Sequence, residues 1–223
     1  MGSFTDKINY YIKSSYRRQL LDRLLRKYQS EYKGFVLDIG GRDRGGFVKP
    51  KSKVDKWVFA DIEPSYKPDI LTDVTDMNTI GSDSFDVVNA MELFEHVDSV
   101  EKGINECYRV LKPGGTFMLS APFLFQIHAD PYDFQRWTET KWRNELLKAG
   151  FGIQTFEIVG RYFTVRNGMM KTLILSLPII IRHFAYLSFP VLGLINRLDT
   201  TNWIKNHKKL GSFHGGYFII AKK

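Results

Sequence analysis

The sequence has a single cysteine, Cys107. That excludes an intrachain disulfide and any multi-cysteine zinc site. Met1–Asn9 has no apolar core of signal-peptide type, so a reducing, cytosolic setting is expected. There is no internal repeat and no low-complexity segment. Acidic residues are almost missing from the last stretch, where residues 161–223 hold one against ten Lys/Arg. What is present argues for a packed domain. The 223 residues are 43% hydrophobic, which suits one domain with appendages and excludes wholesale disorder.

The net charge of +8 divides unevenly, as +5 over residues 1–34, −6 over 35–160 and +9 over 161–223. An acidic centre suits a cationic ligand. Basic flanks suit an anionic partner such as lipid headgroups, phosphates or nucleic acid, or they serve only solubility.

Residues 5–33 read as one amphipathic helix. Its apolar positions include Ile8, Ile12, Tyr16, Leu20, Leu24 and Tyr28, with Arg17, Arg18, Arg23, Arg26 and Lys27 on the other face and Gly34 as the stop. Short apolar runs then follow at Phe35–Ile39, Trp57–Asp61, Asp69–Leu71, Phe85–Asn89, Gly115–Ala121, Ile153–Val159 and Gly216–Ala221. A helix is predicted at Val100–Leu111, stopped by Lys112-Pro113-Gly114-Gly115, and another from Thr138 to Leu147. Strands alternating with helices predict an α/β, Rossmann-like, doubly wound, seven-stranded and mainly parallel sheet. It carries an N-terminal helix (1–34), a core (35–160) and a final segment (161–223) with an apolar helical insertion at 172–198.

That insertion is nearly all apolar, but Pro178, Arg182, His183, Pro190 and Arg197 interrupt it. A spanning helix needs about 20 apolar residues, and a single span would set Arg182 and His183 near the bilayer centre. A helical hairpin that packs on the domain or dips into a membrane interface is favoured over a true span.

Asp38-Ile39-Gly40-Gly41-Arg42-Asp43-Arg44-Gly45-Gly46 forms a glycine-rich turn after the first strand. Such turns let a ligand approach the backbone, with the next helix offering N–H donors. Asp61 ends the second strand, 23 residues after Asp38, where an acid accepts ribose hydroxyls. Together they point to a nucleoside cofactor. A nicotinamide-dependent dehydrogenase would call for a fuller Gly-x-Gly-x-x-Gly, which is absent.

Over roughly residues 34–160 the chain resembles the class I S-adenosylmethionine-dependent methyltransferases, of the type 11 kind. Val36–Gly41 is similar to their first motif, Phe59–Glu63 to the acidic second and Asp73–Asp76 to the adenine-contacting loop. Phe85–Val97 is similar to the fourth region, and Arg109–Gly115 to the helix–turn–strand run typical of the superfamily. The resemblance implies S-adenosylmethionine as cofactor. Its site would hold Asp38, Gly40, Gly41, Arg42, Asp61, Ile62, Asp73, Val74, Asn89, Ala90 and Met91. Arg42 and Arg44 stand where the family has further glycines. This is open to two readings: a reshaped turn, with Arg42 on the methionine carboxylate, or a degraded site.

Methyl transfer needs the acceptor in line and, for a hydroxyl, a base. Ala121–Thr138 gathers His128, Asp130, Asp133 and Arg136 among aromatics. Its His-x-x-Pro-x-Asp-Phe-x-Arg-Trp-Thr run resembles a methyltransferase subgroup of surface-glycan pathways. That resemblance implies a sugar or lipid-linked glycan acceptor. His128 is the first candidate base, oriented by Asp130 or Asp133, with Arg136 on an anionic group. The alternative is a structural Asp133–Arg136 pair beside an exposed His128. His96 is the second candidate base. His128, Asp130 and Asp133 fall short of a ligand set, so no metal is expected. Asn89-Ala90-Met91-Glu92 lacks the prolines of base-amino methyltransferases, which lowers nucleic acid as a partner. The reading is a cytoplasmic methyltransferase, peripheral on an anionic inner membrane face, with its oligomeric state open. Two rival readings are a non-catalytic scaffold at the membrane and a small-molecule or quinone-type methyltransferase.

Overall fold

The computed structural model describes residues 4–41, 46–128 and 131–223. Its strands are β1 (Gly34–Ile39), β2 (Val54–Asp61), β3 (Ile70–Leu71), β4 (Phe85–Met91), β5 (Leu111–Pro122), β6 (Gly152–Ile158) and β7 (Gly216–Lys222). They form one sheet in the order β3-β2-β1-β4-β5-β7-β6, with only β7 antiparallel to its neighbours. This is the seven-stranded, mainly parallel, doubly wound sheet that the alternating pattern predicts.

Period-two alternation sorts each strand between two cores. Leu37, Ile39, Val88 and Ala90 face α3 (Val100–Val110) and α4 (Glu139–Lys148), and pack with Ile104, Cys107, Trp142 and Leu146. Val36 and Val87 face the other way, onto Leu21 and Leu25 of α2 (Tyr16–Lys27) and onto Tyr32. Each such leucine, withdrawn from water, contributes about 1.5–3 kcal/mol. Thr138 caps α4 through its side chain, and Gly150 beyond its end takes φ +99°. Burial pushes the thiol of Cys107 far up, which makes it a packing residue rather than a nucleophile.

Three predicted boundaries differ. The N-terminal helix is two helices, α1 (Phe4–Lys13) and α2, because Ser15 turns its side chain onto the N–H of Arg18 and starts a new helix. Lys112-Pro113-Gly114-Gly115 does not precede the fifth strand. It lies within β5, as an irregularity between the Phe85–Leu111 and Val87–Thr116 pairs. Among the described residues no helix joins β1 to β2, so no helix N-terminus faces the first turn.

Between β6 and β7 the chain forms a helical hairpin. Its first arm is α5 (Tyr162–Leu175). After Pro178 come α6 (Ile179–Ala185), α7 (Phe189–Ile195) and a 3-10 turn at Asn196–Thr200, before the short α8 (Asn202–Asn206). The returning arm packs on α5, and α5 packs on α2. Two polar clasps hold it. Asp199, buried, accepts the N–H groups of Arg161 (2.9 Å), Phe163 (3.0 Å) and Thr164 (2.8 Å), satisfying the start of α5 from the far arm. Lys171 donates to the carbonyls of Tyr11 (2.6 Å) and Ser14 (2.8 Å), among the rings of Tyr11, Tyr16 and Phe189.

Replacing Asp199 with Ala leaves three N–H groups without their acceptor, each costing about 1–3 kcal/mol if it stays buried. Asp199→Ala is expected to lower stability by about 3 kcal/mol or more, read as a shift in the urea midpoint, whereas an exposed Lys208→Ala leaves it unchanged within about 0.5 kcal/mol.

Candidate cofactor and acceptor site

The order β2-β1-β4 reverses direction at β1, and ligands bind such sheets outside the carboxyl ends at that switch point. A cleft of about 900 Å³ opens there. Its wall includes Asp38, Gly40, Gly41, Lys49, Asp61, Ile62, Asp73, Val74, Asn89, Met91, Glu92, His96, Tyr132 and Phe134.

The cleft is organised around Asp38, which is almost fully buried. Its carboxylate accepts Asn89 Nδ2 at 2.6 Å and pairs with Lys49 Nζ at 2.7 Å, while Tyr32 donates to Asn89 Oδ1 at 2.7 Å. Burial first, and then the negative charge of Asp38, pushes the Tyr32 phenol well above its ordinary value. It therefore acts as a neutral donor. Gly40 takes φ +66°, and a Cβ on Gly41 would lie 2.0 Å from the Asp38 carboxylate, so both glycines are required by geometry. Beyond the turn, Gly46 is clasped by α2. Its N–H donates to the buried Asp22 at 2.7 Å, and its carbonyl accepts from Arg26 at 3.0 Å.

Asp61 accepts the N–H of Glu63 at 2.9 Å on one oxygen. Asp73 accepts both the N–H and the hydroxyl of Thr75 on one oxygen, at 2.8 and 2.9 Å. Both acids, with Ile62 and Val74, line the cleft as a row. Ala90 does not join them. Alternation along β4 turns Asn89 toward Asp38 and sends the Ala90 side chain into the core against α3. Arg42, Arg44, Gly45 and Asp130 lie outside the described residues.

At the far wall stands the half-buried Glu92, with the buried Glu95 behind it. Glu92 directly follows β4 with φ +55°, a conformation that costs a non-glycine residue about 1–2 kcal/mol. Ser120 donates to it at 2.8 Å, and Arg17 of α2 forms a short ion pair with it. Burial alone would raise the Glu92 carboxyl, but the Arg17 guanidinium overcomes this and holds it below its ordinary value. Arg17 is thus buried rather than on the solvent face of the predicted helix. Glu95 has no such partner. Burial and the charge of Glu92 push it up to about 8, and neither oxygen meets a donor from another described residue.

The structure places His96 on the cleft wall and His128 behind it, their rings edge to face at 5.1 Å. Each Nε2 lies 3.8 Å from Glu95 Oε1. Asp133 binds Arg136 through both oxygens and accepts the N–H of His128 at 2.9 Å. The guanidinium holds Asp133 down to about 2. Arg136 also donates to the carbonyls of Gln135 and Gln126, so it fixes the loop instead of reaching an anion in the cleft. Tyr32, Lys49 and Arg17 contribute to the site's electrostatics without a motif to mark them. Glu92 and Glu95 lie inside the fourth-region run, but only the fold shows which of them has a counter-ion.

Residues 57–119 match the model of a family described as a methyltransferase domain. No curated protein sequence is significantly similar to the chain. Among solved structures, the fold is similar to that of an S-adenosylmethionine-dependent methyltransferase from Archaeoglobus fulgidus, at 16% identity over 99% of this chain and 100% of that one, TM-score 0.57. It is also similar to a Haemonchus contortus phosphoethanolamine N-methyltransferase solved with phosphomonomethylethanolamine and S-adenosylhomocysteine, at 16% identity over 92% and 52% of the two chains, TM-score 0.54. A (4+2)-cyclase shares the fold too, at 18% identity over 91% and 80%, TM-score 0.54. A methyltransferase domain is thus matched over residues 57–119, and the whole chain has the fold of S-adenosylmethionine-dependent methyltransferases.

Proposed function

We propose that the chain methylates a hydroxyl of a sugar or lipid-linked glycan precursor at an anionic membrane surface. The observation that carries the cofactor half is the row Asp38–Asp61–Asp73 along one cleft. The amino-acid end of S-adenosylmethionine is a zwitterion. The Asp38–Lys49 pair offers one charge for its ammonium and one for its carboxylate, with Gly40 and Gly41 leaving room for close approach. Asp61 is placed for the ribose hydroxyls and Asp73 for the adenine amino group, with Ile62 and Val74 on the ring and Asn89 and Met91 on the inner wall. When bound, the cofactor supplies a methyl group already attached to a good leaving group. The protein then has to hold the acceptor and handle its proton.

On the acceptor side, Tyr132 and Phe134 are largely exposed and pack together at the cleft mouth, as platforms for a sugar face. Among the described sequence candidates, His96 is the one on the cleft wall. His128 supports it, and Asp133 with Arg136 positions the His128 loop. We assign the activation of the acceptor hydroxyl to the Glu95–His96–His128 group.

The membrane half rests on the hairpin. Ile180, Phe184 and Leu187 are 72%, 73% and 78% exposed. The one acid of residues 161–223 is Asp199, consumed by three backbone N–H groups, so the other charges that this segment carries are basic. Residues Ile179–Thr200 are by length and composition sufficient to cross a membrane. Phe189 in their middle, however, is buried and its carbonyl accepts from Tyr11 and Tyr16 at 2.9 Å each, which ties this arm to the domain and favours an interfacial position.

Calorimetric titration with S-adenosylhomocysteine tests the first half. Wild type binds, and Asp61→Ala loses about 10–100-fold in affinity, the worth of hydrogen bonds to a charged acceptor. No binding of the cofactor product up to about 1 mM would leave a non-catalytic scaffold as the better reading. For the second half, vesicles containing anionic lipid should sediment the protein at low salt and release it as salt rises, with Phe184→Asp/Leu187→Asp abolishing sedimentation. Sedimentation unaffected by that double substitution refutes a lipid role for the hairpin.

A further inference from the structure

We infer that Glu95, His96 and His128 form a binding site for one divalent transition-metal ion, of which Zn²⁺ is the best-fitting, at the acceptor end of the cleft. The inference rests on the proposed hydroxyl methylation for its purpose, but not for its geometry.

One donor atom from each of the three residues lies within 4.8 Å of the others, and Glu95 Oε1 stands 3.8 Å from both Nε2 atoms. Donors about 2.0–2.1 Å from Zn²⁺ at tetrahedral angles sit about 3.3 Å apart. Each Glu95–imidazole pair would contract by roughly half an ångström, and the two imidazoles by no more than about 1.5 Å, to close the set.

Two further observations point to a ligand. The first is the outer shell. His96 Nδ1 is 2.6 Å from the carbonyl of Tyr132, and His128 Nδ1 is 3.2 Å from the carbonyl of Gln126. A carbonyl only accepts, so each Nδ1 carries the proton and each Nε2 presents its lone pair toward Glu95. This is how metal-binding imidazoles are fixed, by a hydrogen bond on the other nitrogen. The second is Glu95 itself. It is 98% buried, since its relative exposure is 2%, and both oxygens lack a donor from another described residue. Two imidazole lone pairs facing an unsatisfied carboxylate leave three acceptors around one point. Three acceptors so placed must share a proton or hold a metal cation, and a divalent ion satisfies all three at once.

Two imidazoles and one carboxylate leave at least one coordination position open, as catalytic rather than structural sites do. His96 lies on the cleft wall, so that position is reached from the cleft. The ligand it would take is the acceptor hydroxyl. Coordination weakens the O–H bond. The proton leaves to solvent and the electron pair stays on oxygen, ready for the transfer. No redox change is involved. The same site discriminates against acceptors without an oxygen at that point.

The test uses the full-length, tag-free chain, stripped with a chelator and titrated with Zn²⁺ alone. One equivalent is expected to bind, and Glu95→Gln, His96→Ala and His128→Ala should each weaken it by more than about tenfold. In the wild-type chain, Zn²⁺ should also protect His96 and His128 from diethyl pyrocarbonate, read by mass spectrometry, which needs no variant to fold. Absence of Zn²⁺ binding, or binding unchanged in all three variants with both histidines still modified, overturns the site. S-adenosylhomocysteine is titrated into the same samples. Zn²⁺ bound without the cofactor product supports the site while sinking the methylation reading. The cofactor product bound without Zn²⁺ sinks the site alone.

Discussion

The cleft depends on one buried negative charge. Asp38 sits where the sheet reverses direction, and a carboxylate withdrawn from water is costly unless it is paired and hydrogen-bonded. Its partners come from separate parts of the chain. Asn89 comes from the neighbouring strand, Lys49 from the loop toward β2, and Tyr32, through Asn89, from the segment before β1. Satisfying that charge therefore draws strand ends, loop and N-terminal segment together around the ligand position. The glycines beside it are a consequence, since the carboxylate fills the space a side chain on Gly41 would need.

A second pair of charges divides the cleft into functions. Glu92 and Glu95 are close in sequence and both largely withdrawn from water, and among the described residues one guanidinium, that of Arg17, forms an ion pair with either of them. Arg17 takes Glu92, which holds a strained backbone at the strand end and fastens α2 to the cleft. Glu95 is left among two imidazoles whose protons are directed away from it. One carboxylate is thereby a structural anchor and the other is the group we assign to the acceptor's chemistry, although the two look alike in the sequence.

The hairpin at residues 162–200 shows the same logic on a larger scale. Its apolar side chains face outward because its polar groups are spent inward. Asp199 spans the two arms, Lys171 reaches α1, and Asn167 donates to Leu192 and Asn196 on the returning arm. The surface that results is largely apolar, and the hairpin's exposed Arg197 is basic, a combination suited to a lipid interface.

Much of this was legible from residue order alone. Alternating apolar runs and helical spacings determined the strands, α3, α4 and the fold class, because backbone period and burial are local properties of a segment. The first turn, Asp61, Asp73 and the Arg109–Gly115 run determined the cofactor class, because their spacing reflects a geometry the strands impose. Tertiary structure alone decided the rest. Ser15 divides the first helix where a periodic pattern runs on without a break. Ala90 and Asn89, adjacent in sequence, part to opposite faces. Arg17 leaves solvent for Glu92, and His128 and His96, separated by more than thirty residues, meet at Glu95. Which charge is paired, and with what, is a long-range property of packing, and no spacing along the chain encodes it.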